Sequence, residues 1–546
     1  MSTCAGWLCF FTFPGESVYI VGNAHNTMRE GTMKTNLGFA AVLLGAVAMA
    51  LNAGGATFDV RDFGARPDGQ TLNTEVLQFV IDICSRGGGG VVRLEGGAYL
   101  TGTLYLKNGV ILEVAQGATL LGSDRLEDYP ERRAEYASYT DNYTNKALVY
   151  AESAQDIGLR GEGTIDGQGA SFKGDYLRRP FLVRFVKCQG VITENITLQN
   201  SPMWVYHVLA CDDVRITGVT IRSKVNRNND GLDIDCCRNV RVSGCDIWSG
   251  DDAIVLKSTS GRVCERVTVT NCVLNSDCNG LKMGTESNGG FKHITISNCV
   301  LYKVGISGIA LEMVDGGVMD GVAISNIRMT QCNGAIFMRL GNRARVFREG
   351  MPKPGVGEMR NISISNVVAT DANDIGCAIS GLPGHRIENL ALENIRIQFA
   401  GGGKKAWTSL DVPENEAEYP EYTMFGELPA YGFYVRHVKG IRMRGVAVSA
   451  KRPDARPALV CDDVADLDLF DFQGAPYADQ PAVVRLHNVR RALVQGCRAL
   501  PGTGTWLAAT GEATADIDVR GCALGQAAQA MAPGETSPPD AVRLAP

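Results

Sequence analysis

Apolar and polar residues alternate in short segments that recur down most of the chain. Each segment follows a pattern close to apolar-x-apolar-x-(Asn/Gly)-apolar, which is typical of a β-strand with one buried face. The copies begin at Val191, Val214, Val240, Val267, Ile294, Val322, Ile362 and Leu390. Asn or Gly at the fifth position suits a left-handed backbone bend, because these residues tolerate a positive φ. Each segment is therefore predicted to be a strand that ends in a bend.

The spacing of these segments predicts how they stack. Successive copies lie about 23 to 28 residues apart until a longer insertion follows Leu340. A repeat of this length indicates a solenoid, in which each repeat buries its apolar face against its neighbours. Weaker copies begin at Ile441, Ala492 and Ile517, so the C-terminal region is expected to extend the same stack. The predicted fold class is all-β, a parallel β-helix of stacked rungs.

The sixth position of the pattern would form a column inside the solenoid, because stacked rungs lie about 4.8 Å apart. This column contains Cys245, Cys272 and Cys299 together with Val and Ile residues. Free cysteine is among the most buried residue types. These three cysteines are therefore interpreted as small buried apolar residues, not as disulfides or metal ligands.

The region before the repeats predicts a cap, and the longest non-repeating segments predict loops. An amphipathic pattern from about Asn73 to Cys84 ends at a run of glycines and predicts a helix. Such a helix would cover the first rung, whose open edge would otherwise invite aggregation. Segments 124–146, 341–358 and 401–430 are rich in Tyr, Arg, Pro and Gly. They are predicted to be loops on the flank of the solenoid, where binding grooves usually form.

Composition and the N-terminal sequence limit the class of protein. The 546 residues carry a net charge of −6, a balance too mild to indicate nucleic-acid binding. Residues 33–56 contain a lysine, an apolar stretch and small residues in the order of a secretory signal peptide. Residues 1–32 are interpreted as a doubtful extension, and residues 57–546 as one β-helix domain without a membrane span. A secreted or periplasmic monomer is expected.

Two acidic motifs carry the candidate chemistry, NRNNDGLDID from Asn226 and SGDDAIVLKS from Ser249. Asp230 and the pair Asp251 and Asp252 are about one rung apart, so their carboxylates should stack on one face of the solenoid. Like charges so close raise one pKa, and glycoside hydrolysis requires one protonated acid beside an ionised base. The alternative is a row of turn-forming Asx residues. Three carboxylates beside glycine favour the catalytic interpretation.

Five motifs in this order resemble the polygalacturonase family of glycoside hydrolases, family 28. They are DFGARPDGQTLNT, GEGTIDGQG, LQNSPMW, NNDGLDI and SGDDAIVLKS, and the resemblance covers about 58–342. It implies a right-handed parallel β-helix that hydrolyses pectin chains with inversion. It also implies that Asp251 is the general acid and that Asp230 and Asp252 hold and deprotonate the attacking water. Asn228 begins the family's Asn-Thr-Asp-Gly motif and is a candidate substrate contact.

Two family motifs are changed in this chain. Asn279 stands where the family carries the histidine of Gly-His-Gly, and Ala310 and Glu312 stand where it carries the cations of Arg-Ile-Lys. A methyl group and a carboxylate in place of a guanidinium and an ammonium reverse the local charge. The sequence therefore leaves open which sugar binds there.

Other side chains are candidates for substrate contacts or for support. Lys282, Arg339 and Arg343 are expected to supply local positive charge, with a solvated rim as the alternative. Glu286 and Glu312 are expected to accept hydrogen bonds from sugar hydroxyls if the bound sugar is neutral. The candidate substrate-binding set is Asn228, Asn279, Lys282, Glu286, Glu312, Arg339 and Arg343. In addition, His207, Trp204 and Lys257 are interpreted as packed residues and Asp233 as a hydrogen-bonding support.

Three functional hypotheses remain. The first is a hydrolase of an acidic pectic polysaccharide, either a galacturonan or rhamnogalacturonan, that uses no metal or other cofactor. The second is a polysaccharide lyase on the same scaffold, with Ca²⁺ on the acidic residues and a basic side chain as the base. The third is a non-catalytic β-helix that binds carbohydrate or serves in adhesion. The Gly-Asp-Asp motif favours the hydrolase, while cutting inside a chain or at its end depends on the loops.

Overall fold

The computed structural model describes residues 8–13, 16–21, 55–175, 178–532, 537–538 and 540–545. Strands β1 (Leu8–Phe13) and β2 (Glu16–Val21) pair antiparallel. The predicted signal peptide, residues 33–56, lies outside the described residues except for its last two positions. A search of the described part of the chain finds no helix long and apolar enough to cross a membrane.

The elements from residue 55 onward are mostly short strands. The α-helix α1 spans Thr74–Arg86. The strands up to Leu340 are β3 (Ala56–Asp59), β4 (Asp68–Leu72), β5 (Gly90–Leu94), β6 (Gly97–Thr101), β7 (Leu104–Tyr105), β8 (Val110–Val114), β9 (Ala118–Gly122), β10 (Ala147–Glu152), β11 (Gln155–Arg160), β12 (Thr164–Asp166), β13 (Phe181–Val186), β14 (Gln189–Glu194), β15 (Thr197–Gln199), β16 (Tyr206–Leu209), β17 (Asp212–Thr217), β18 (Thr220–Ser223), β19 (Leu232–Asp235), β20 (Arg238–Ser243), β21 (Asp246–Ser249), β22 (Ile254–Ser258), β23 (Cys264–Thr270), β24 (Val273–Ser276), β25 (Leu281–Ser287), β26 (Phe291–Met313) and β27 (Val318–Leu340). The later strands are β28 (Glu358–Ala372), β29 (Cys377–Ser380), β30 (Ile387–Phe399), β31 (Phe433–Ala450), β32 (Leu459–Phe470), β33 (Gln473–Gly474), β34 (Val484–His487), β35 (Arg490–Gln495), β36 (Thr505–Thr510), β37 (Ala515–Arg520), β38 (Gln529–Ala532) and β39 (Val542–Ala545).

Parallel pairing stacks these strands into three columns. Column A runs through β5, β8, β11, β14, β17, β20 and β23, and column B through β6, β9, β12, β15, β18, β21 and β24. Column C runs through β10, β13, β16, β19, β22 and β25. The long strands β26 and β27 pass through all three columns in turn. The chain thus forms the predicted right-handed parallel β-helix.

The residues at the fifth position of the repeat form the predicted bends. All eight have a positive φ, between 50° and 64°, and they are Asn195, Gly218, Gly244, Asn271, Asn298, Asn326, Asn366 and Asn394. Several of the asparagines also stack: the Asn326 amide donates to Asn298 Oδ1 at 2.9 Å, and the Asn366 amide donates to Asn326 Oδ1 at 3.0 Å. The left-handed bend and the side-chain ladder together explain the choice of Asn.

The cysteines behave as small apolar residues. Cys245, Cys272 and Cys299 are buried in the core column and are free thiols. The cysteines from Cys84 to Cys522 are all free thiols. The interpretation of this column as apolar packing is therefore confirmed.

The predicted cap is present at the start of the solenoid. Helix α1 begins one residue after Asn73 and buries Leu77, Val80, Ile81 and Cys84. These side chains join the main core with Val92 and Val110 of the first rungs. The amphipathic pattern therefore predicted both the helix and the face that it buries.

Three long loops border column C. Loop L1 is residues 123–146, between β9 and β10; loop L2 is residues 341–357, between β27 and β28; loop L3 is residues 400–432, between β30 and β31. Each contains short 3-10 helices at most and no strand. Because L1 and L3 lead into column C and L2 leaves it, all three can reach the outer face of the same column.

Candidate active site

Asp230, Asp251 and Asp252 meet at the start of two neighbouring strands of column C. Asp230 precedes β19, while Asp251 and Asp252 precede β22, its register partner. One carboxylate oxygen of each residue lies within 4.8 Å of the others. Asp230 and Asp252 are buried, and Asp251 is partly exposed. The spacing of one rung in the sequence thus brings three carboxyl groups together.

Backbone contacts fix the turns that carry these residues. A Cβ atom at Gly231 would lie 2.4 Å from the carbonyl oxygen of Ala253 on the neighbouring strand, so only glycine fits there. The carbonyl oxygen of Asp251 accepts hydrogen bonds from the hydroxyls of Ser249 at 2.7 Å and Ser276 at 2.6 Å. Asp251 is therefore held from its own rung and from the next one.

Asn228 and Asn229, which precede Asp230, have different structural roles. Asn228 adopts a φ of 57° and is partly exposed, and its amide lies 3.4 Å from Asp251 Oδ2. Arg179 donates to Asn228 Oδ1 at 2.9 Å. Asn229 is buried, and its side chain bonds only to backbone groups of its own turn and the preceding rung. Asn228 therefore faces the carboxylates, whereas Asn229 builds the turn.

Asp252 is held as an anion. Its Oδ1 accepts hydrogen bonds from the backbone N–H of Asn279 at 3.1 Å and from the Asn279 amide at 2.8 Å. The Lys282 ammonium lies 3.4 Å from its Oδ2. Burial alone would raise the pKa of Asp252, but Lys282, Lys257 and the Asn279 hydrogen bonds outweigh burial and hold this pKa below its ordinary value.

The other two carboxyl groups are shifted in the opposite direction. Burial raises the pKa of Asp251, and the negative charge of Asp252 raises it further. Burial also raises the pKa of Asp230 well above its ordinary value, with Asp251 adding to the effect. Within the described residues, Asp230 Oδ1 is buried without a hydrogen-bond partner. The cluster therefore combines one carboxyl group that favours its ionised form with two that keep their protons to higher pH.

Lys257 enters this cluster from the end of β22. Its Nζ lies 3.7 Å from Asp230 Oδ2, 3.7 Å from Asp233 Oδ1 and 3.8 Å from Glu286 Oε2. It also lies 4.7 Å from the ring centroid of Trp204. Burial would lower the pKa of Lys257, but the carboxylates, Glu286 first, outweigh it and raise this pKa well above its ordinary value. The contact with Trp204 fits the packing role, while the ion pairs were not predicted.

Lys282 compensates in part for the altered Arg-Ile-Lys motif. It is the register partner of Ala310 on the adjacent strand, and its ammonium lies 3.6 Å from Glu312 Oε2 and 3.5 Å from Glu421 Oε1. Burial raises the pKa of Glu312 to about 8, because Lys282 only partly offsets burial and the nearby Glu421 charge. Three carboxyl groups, those of Asp252, Glu312 and Glu421, thus surround one ammonium.

Loop L3 supplies two residues that the sequence did not reveal. Tyr419 is half exposed, and its hydroxyl accepts a hydrogen bond from Thr285 Oγ1 at 2.9 Å. Its ring centroid lies 5.6 Å from Lys282 Nζ and 5.6 Å from Arg343 Cζ. Glu421 is partly exposed, and burial raises its pKa against the lowering effect of Lys282. Nothing near either residue in the sequence marks it, since only the path of L3 brings them to β25.

The predicted cationic residues divide between two locations. Arg343 pairs with Asp315 and lies 3.8 Å from Glu286, beside Tyr419. Arg345 lies 3.2 Å from Glu286 and is one-third exposed. Arg339 is fully buried under L3, where it donates to Ser380 Oγ and to backbone carbonyls. Arg343 therefore borders the carboxylate cluster, and Arg339 anchors a loop.

The other residues singled out in the sequence are buried beside the carboxylate cluster. His207 is fully buried, stacks on Phe181 and contacts Asp235 at 3.3 Å, and burial lowers its pKa to about 4. Trp204 packs against the same two rings. Asp233 faces Lys257, and its carboxylate oxygens accept no hydrogen bond from the described residues. The structure therefore gives Asp233 an ion pair where a hydrogen bond was expected.

Asp230, Asp251 and Asp252 are also the group within the described residues whose carboxylates are close enough to hold a metal ion. Lys257 and Lys282 lie 3.7 Å and 3.4 Å from two of these carboxylates. A divalent cation would be repelled by both ammonium groups at such distances. The arrangement suits proton transfer better than metal binding.

The family match and two relatives of the chain all concern glycoside hydrolases. The model of the glycosyl hydrolases family 28 matches residues 125–418. A "probable polygalacturonase" of Vitis vinifera is 34% identical over 212 residues, which cover 36% of this chain and 43% of that protein. An exo-poly-alpha-D-galacturonosidase of Dickeya chrysanthemi is 34% identical over 167 residues, which cover 29% of this chain and 25% of that protein. The chain thus spans less than half the length of these two relatives.

A solved structure agrees on the fold. The exopolygalacturonase of Thermotoga maritima superposes with a TM-score of 0.56 at 23% sequence identity, covering 65% of this chain and 91% of that one. At this identity the similarity concerns the fold. The family match ends within L3, so Tyr419 and Glu421 follow directly after the matched residues.

Proposed function

The chain belongs to the glycosyl hydrolases family 28, and from this membership we propose that it hydrolyses the glycosidic bonds of a pectic polysaccharide. In this proposal Asp251 is the general acid, and Asp230 and Asp252 hold and deprotonate the attacking water. Secretion through the signal peptide at residues 33–56 and a monomeric β-helix over residues 57–546 belong to the same proposal.

One observation carries the assignment of roles. Asp251 and Asp252 are adjacent in the chain, yet their pKa values are shifted in opposite directions. A pair of carboxyl groups whose environments separate their pKa values is the arrangement that acid and base catalysis of glycoside hydrolysis needs. Asp252 owes its lower pKa to Lys282, Lys257 and Asn279. The partly exposed Asp251 accepts hydrogen bonds from the Asp252 backbone N–H at 2.9 Å and from the Asn228 amide at 3.4 Å, but burial and the negative charge of Asp252 outweigh its favourable contacts.

The proposed reaction moves two protons. Asp251 donates its proton to the glycosidic oxygen as the bond between that oxygen and the anomeric carbon breaks. A water molecule held by Asp230 and Asp252 attacks the anomeric carbon, and Asp252 takes its proton. The cycle closes when the proton on Asp252 is exchanged for one on Asp251 through solvent.

Inversion at the anomeric carbon is proposed from the family membership and not from the separation of the carboxyl groups. The carboxylate oxygens lie within 4.8 Å of one another, which is closer than the roughly 6.5–9.5 Å usual between the carboxyl groups of inverting enzymes. Proton NMR of the newly formed anomeric centre, recorded during the first minutes of hydrolysis, decides between inversion and retention.

Lys257 argues against the lyase hypothesis. A lyase needs a neutral basic side chain beside the cleaved bond, and Lys257 is the basic group that lies among the acidic motifs. The nearby carboxylates raise its pKa well above the ordinary lysine value, which favours the ammonium form over the neutral base that a lyase needs. Products that absorb in the ultraviolet, as unsaturated sugars do, would nevertheless contradict a hydrolase, and the same digests can be used to look for them.

The experiment that tests the proposal is Asp251→Asn with homogalacturonan and rhamnogalacturonan as substrates. The variant is expected to lose turnover on the polymer that the wild type cuts, by at least about 10²-fold, the lower range for a general acid. Asp246→Asn is the matched control, because Asp246 lies on β21 with its side chain 46% exposed. Equal activity of Asp251→Asn and wild type would overturn the proposal, and a thermal melt checks that both variants fold.

A further inference from the structure

The outer face of column C is covered by L1 on the N-terminal side of the carboxylates. Ala134, Tyr136 and Tyr143 of this loop pack on a cluster that includes Phe181 and Trp204. This cluster is separate from the core inside the solenoid. Because Trp204 precedes β16, the rung next to β19, the covered part of the column ends directly beside Asp230.

Loop L3 covers the same face on the C-terminal side. Val412, Tyr422, Phe425 and Leu428 of the loop pack on outward-facing side chains of successive column C strands. Those side chains are Phe337 of β27, Ala378 of β29, Tyr434 of β31 and Val460 of β32. The covered part begins one rung after Glu312.

Buried arginines of column C hold both loops in place. On the N-terminal side, Arg184 of β13 donates to the carbonyl oxygen of Thr144 at 2.8 Å and to Thr140 Oγ1 at 3.1 Å. On the C-terminal side, Arg436 of β31 donates to the carbonyl oxygens of Val412 at 2.6 Å and Pro413 at 3.0 Å. Charge-assisted bonds from buried guanidinium groups fix the loop backbone more firmly than neutral contacts do.

A third contact closes the far edge of the column. Arg345 of L2 lies with its guanidinium 4.6 Å from the ring centroid of Tyr139 of L1, and Asn288 donates to the carbonyl oxygen of Arg345 at 2.7 Å. The loops L1 and L2 therefore meet beyond the ends of β22 and β25. The opposite edge, where Asn228, Asp251 and Cys278 lie, is partly exposed.

The part of column C that remains between L1 and L3 is short. It consists of β19, β22, β25 and the last segment of β26, which span roughly 14 Å at about 4.8 Å per strand. Tyr419 and Glu421 reach over part of this distance. A polysaccharide that continued in both directions along the column would have to pass through the loops.

From this geometry we infer that the active site is a pocket closed on three sides and that the enzyme removes sugars from the end of a chain instead of cutting inside it. The inference rests on the proposed function and adds the mode of attack. The substrate is a chain terminus or a short pectic oligosaccharide that enters past Asn228 and Asp251. The sugar beyond the cleaved bond leaves through the same open edge.

The test is the product pattern of the wild type on a long polymer. Viscosity and reducing ends are measured together on whichever of homogalacturonan and rhamnogalacturonan is cut, and the products are sized over time. Mono- or disaccharides are expected from the first samples, while viscosity falls slowly for each reducing end formed. Early oligosaccharides of intermediate length, with a rapid loss of viscosity, would overturn the inference.

Variants of L3 test whether the loop sets this mode. Replacement of residues 415–424 by a short Gly-Ser linker removes Tyr419 and Glu421 and opens the C-terminal side, and Tyr419→Ala is a milder form that keeps the loop anchored. Both are expected to release longer products, with a viscosity loss per reducing end at least about 3-fold above wild type, whatever their rate. Unchanged short products from both would contradict the inference.

Two comparisons separate the possible failures. Arg491→Ala removes an exposed ion pair with Asp466 on column A and should leave the product pattern unchanged. If the wild type hydrolyses a polymer internally while Asp251→Asn is inactive, the mode of attack is wrong and the proposed function stands. If Asp251→Asn is as active as wild type, the proposed function itself fails.

Discussion

Lys282 lies directly beside Ala310 on the neighbouring strand of column C, and its ammonium is 3.4 Å from Asp252 Oδ2. The cation that is missing from the altered Arg-Ile-Lys motif is therefore supplied from one rung earlier in the chain. From this position the ammonium acts on the base of the carboxylate cluster as well as on Glu312 and Glu421. Under the proposed function, charge at this point would affect both the proposed base Asp252 and the choice of sugar.

Lys282→Met is expected to shift the acid limb of the pH profile to higher pH. Lys282 lowers the pKa of Asp252, so its removal raises that pKa, by about 1–3 units for the loss of an adjacent opposite charge. The base then becomes ionised only at higher pH. The measurement is kcat/KM against pH on a defined pectic oligosaccharide.

The control moves the positive charge from Lys282 on β25 to position 310 on the neighbouring β26. Lys282→Met combined with Ala310→Lys moves the positive charge to the position of the family's arginine, about 4.8 Å away on the neighbouring strand. Part of the shift should then be reversed. Lys439→Met removes an exposed ion pair with Glu388 on column A. It should leave the pH profile of kcat/KM unchanged. An acid limb that stays at its wild-type pH in Lys282→Met would show that the ammonium does not control the base.

Glu421→Gln is expected to favour substrates with a uronate near Lys282. Asp252, Glu312 and Glu421 already surround the ammonium, so a further carboxylate from the substrate meets negative charge. Removal of one carboxylate from this group should raise kcat/KM for oligogalacturonates relative to neutral-sugar-containing oligosaccharides, by roughly 3- to 10-fold for about 1 kcal/mol.

Glu418→Gln is the matched control for that variant, because it removes a charge from the exposed part of the same loop. The ratio of kcat/KM values should be unchanged in Glu418→Gln. If Glu421→Gln lowered the ratio, Glu421 would be assisting the binding of the uronate and the electrostatic argument would be reversed.

The sequence predicted those features that depend on regular spacing. A strand pattern that returns every 23 to 28 residues defines the rungs, and Asp230 and Asp251 fall one rung apart. Register then places both on the same column without further information. The buried cysteines followed from the same periodicity, since their position in the pattern determines that they point inward.

Features that depend on long loops escaped prediction. Glu421 reaches Lys282 only because L3 folds back across several rungs, and no local pattern specifies that path. Lys257 illustrates a different limit: its strand position predicted packing, but its ion pairs with Asp230, Asp233 and Glu286 depend on how neighbouring rungs stack. Arg339 was predicted beside the substrate, and L3 covers it.

Gly231→Ala is expected to damage both activity and stability. The new Cβ would lie 2.4 Å from the carbonyl oxygen of Ala253 and 2.8 Å from Ile247 Cγ2, so β19 must move away from β22. Overpacking of this kind costs roughly 1–3 kcal/mol, and the shift separates Asp230 from Asp252. Chemical denaturation and kcat measure the two effects.

Gly261→Ala is the corresponding control, because its Cβ would meet only Phe347, at 3.8 Å and 3.9 Å. Its stability and kcat should be close to those of the wild type. Should Gly231→Ala retain both properties as well, the close approach of the two strands would not be what positions Asp230.

Glu312→Gln is expected to stabilise the folded protein at pH 8 and to have little effect near pH 5. In the folded state the pKa of Glu312 is raised to about 8 from an ordinary value of 4.5, so the folded protein holds a proton that the unfolded chain has released. Stability therefore falls as the pH rises from about 4.5 to about 8. Glutamine resembles the protonated acid and avoids this loss.

The free energy of unfolding from urea titrations should favour Glu312→Gln by at least about 1 kcal/mol at pH 8, since one pKa unit corresponds to about 1.4 kcal/mol. Glu388→Gln, on the exposed face of column A, should show no such dependence on pH. If the difference in free energy of unfolding between wild type and Glu312→Gln were the same at pH 5 and pH 8, Lys282 would be keeping Glu312 ionised. The negative charge around the ammonium would then be larger than the structure indicates.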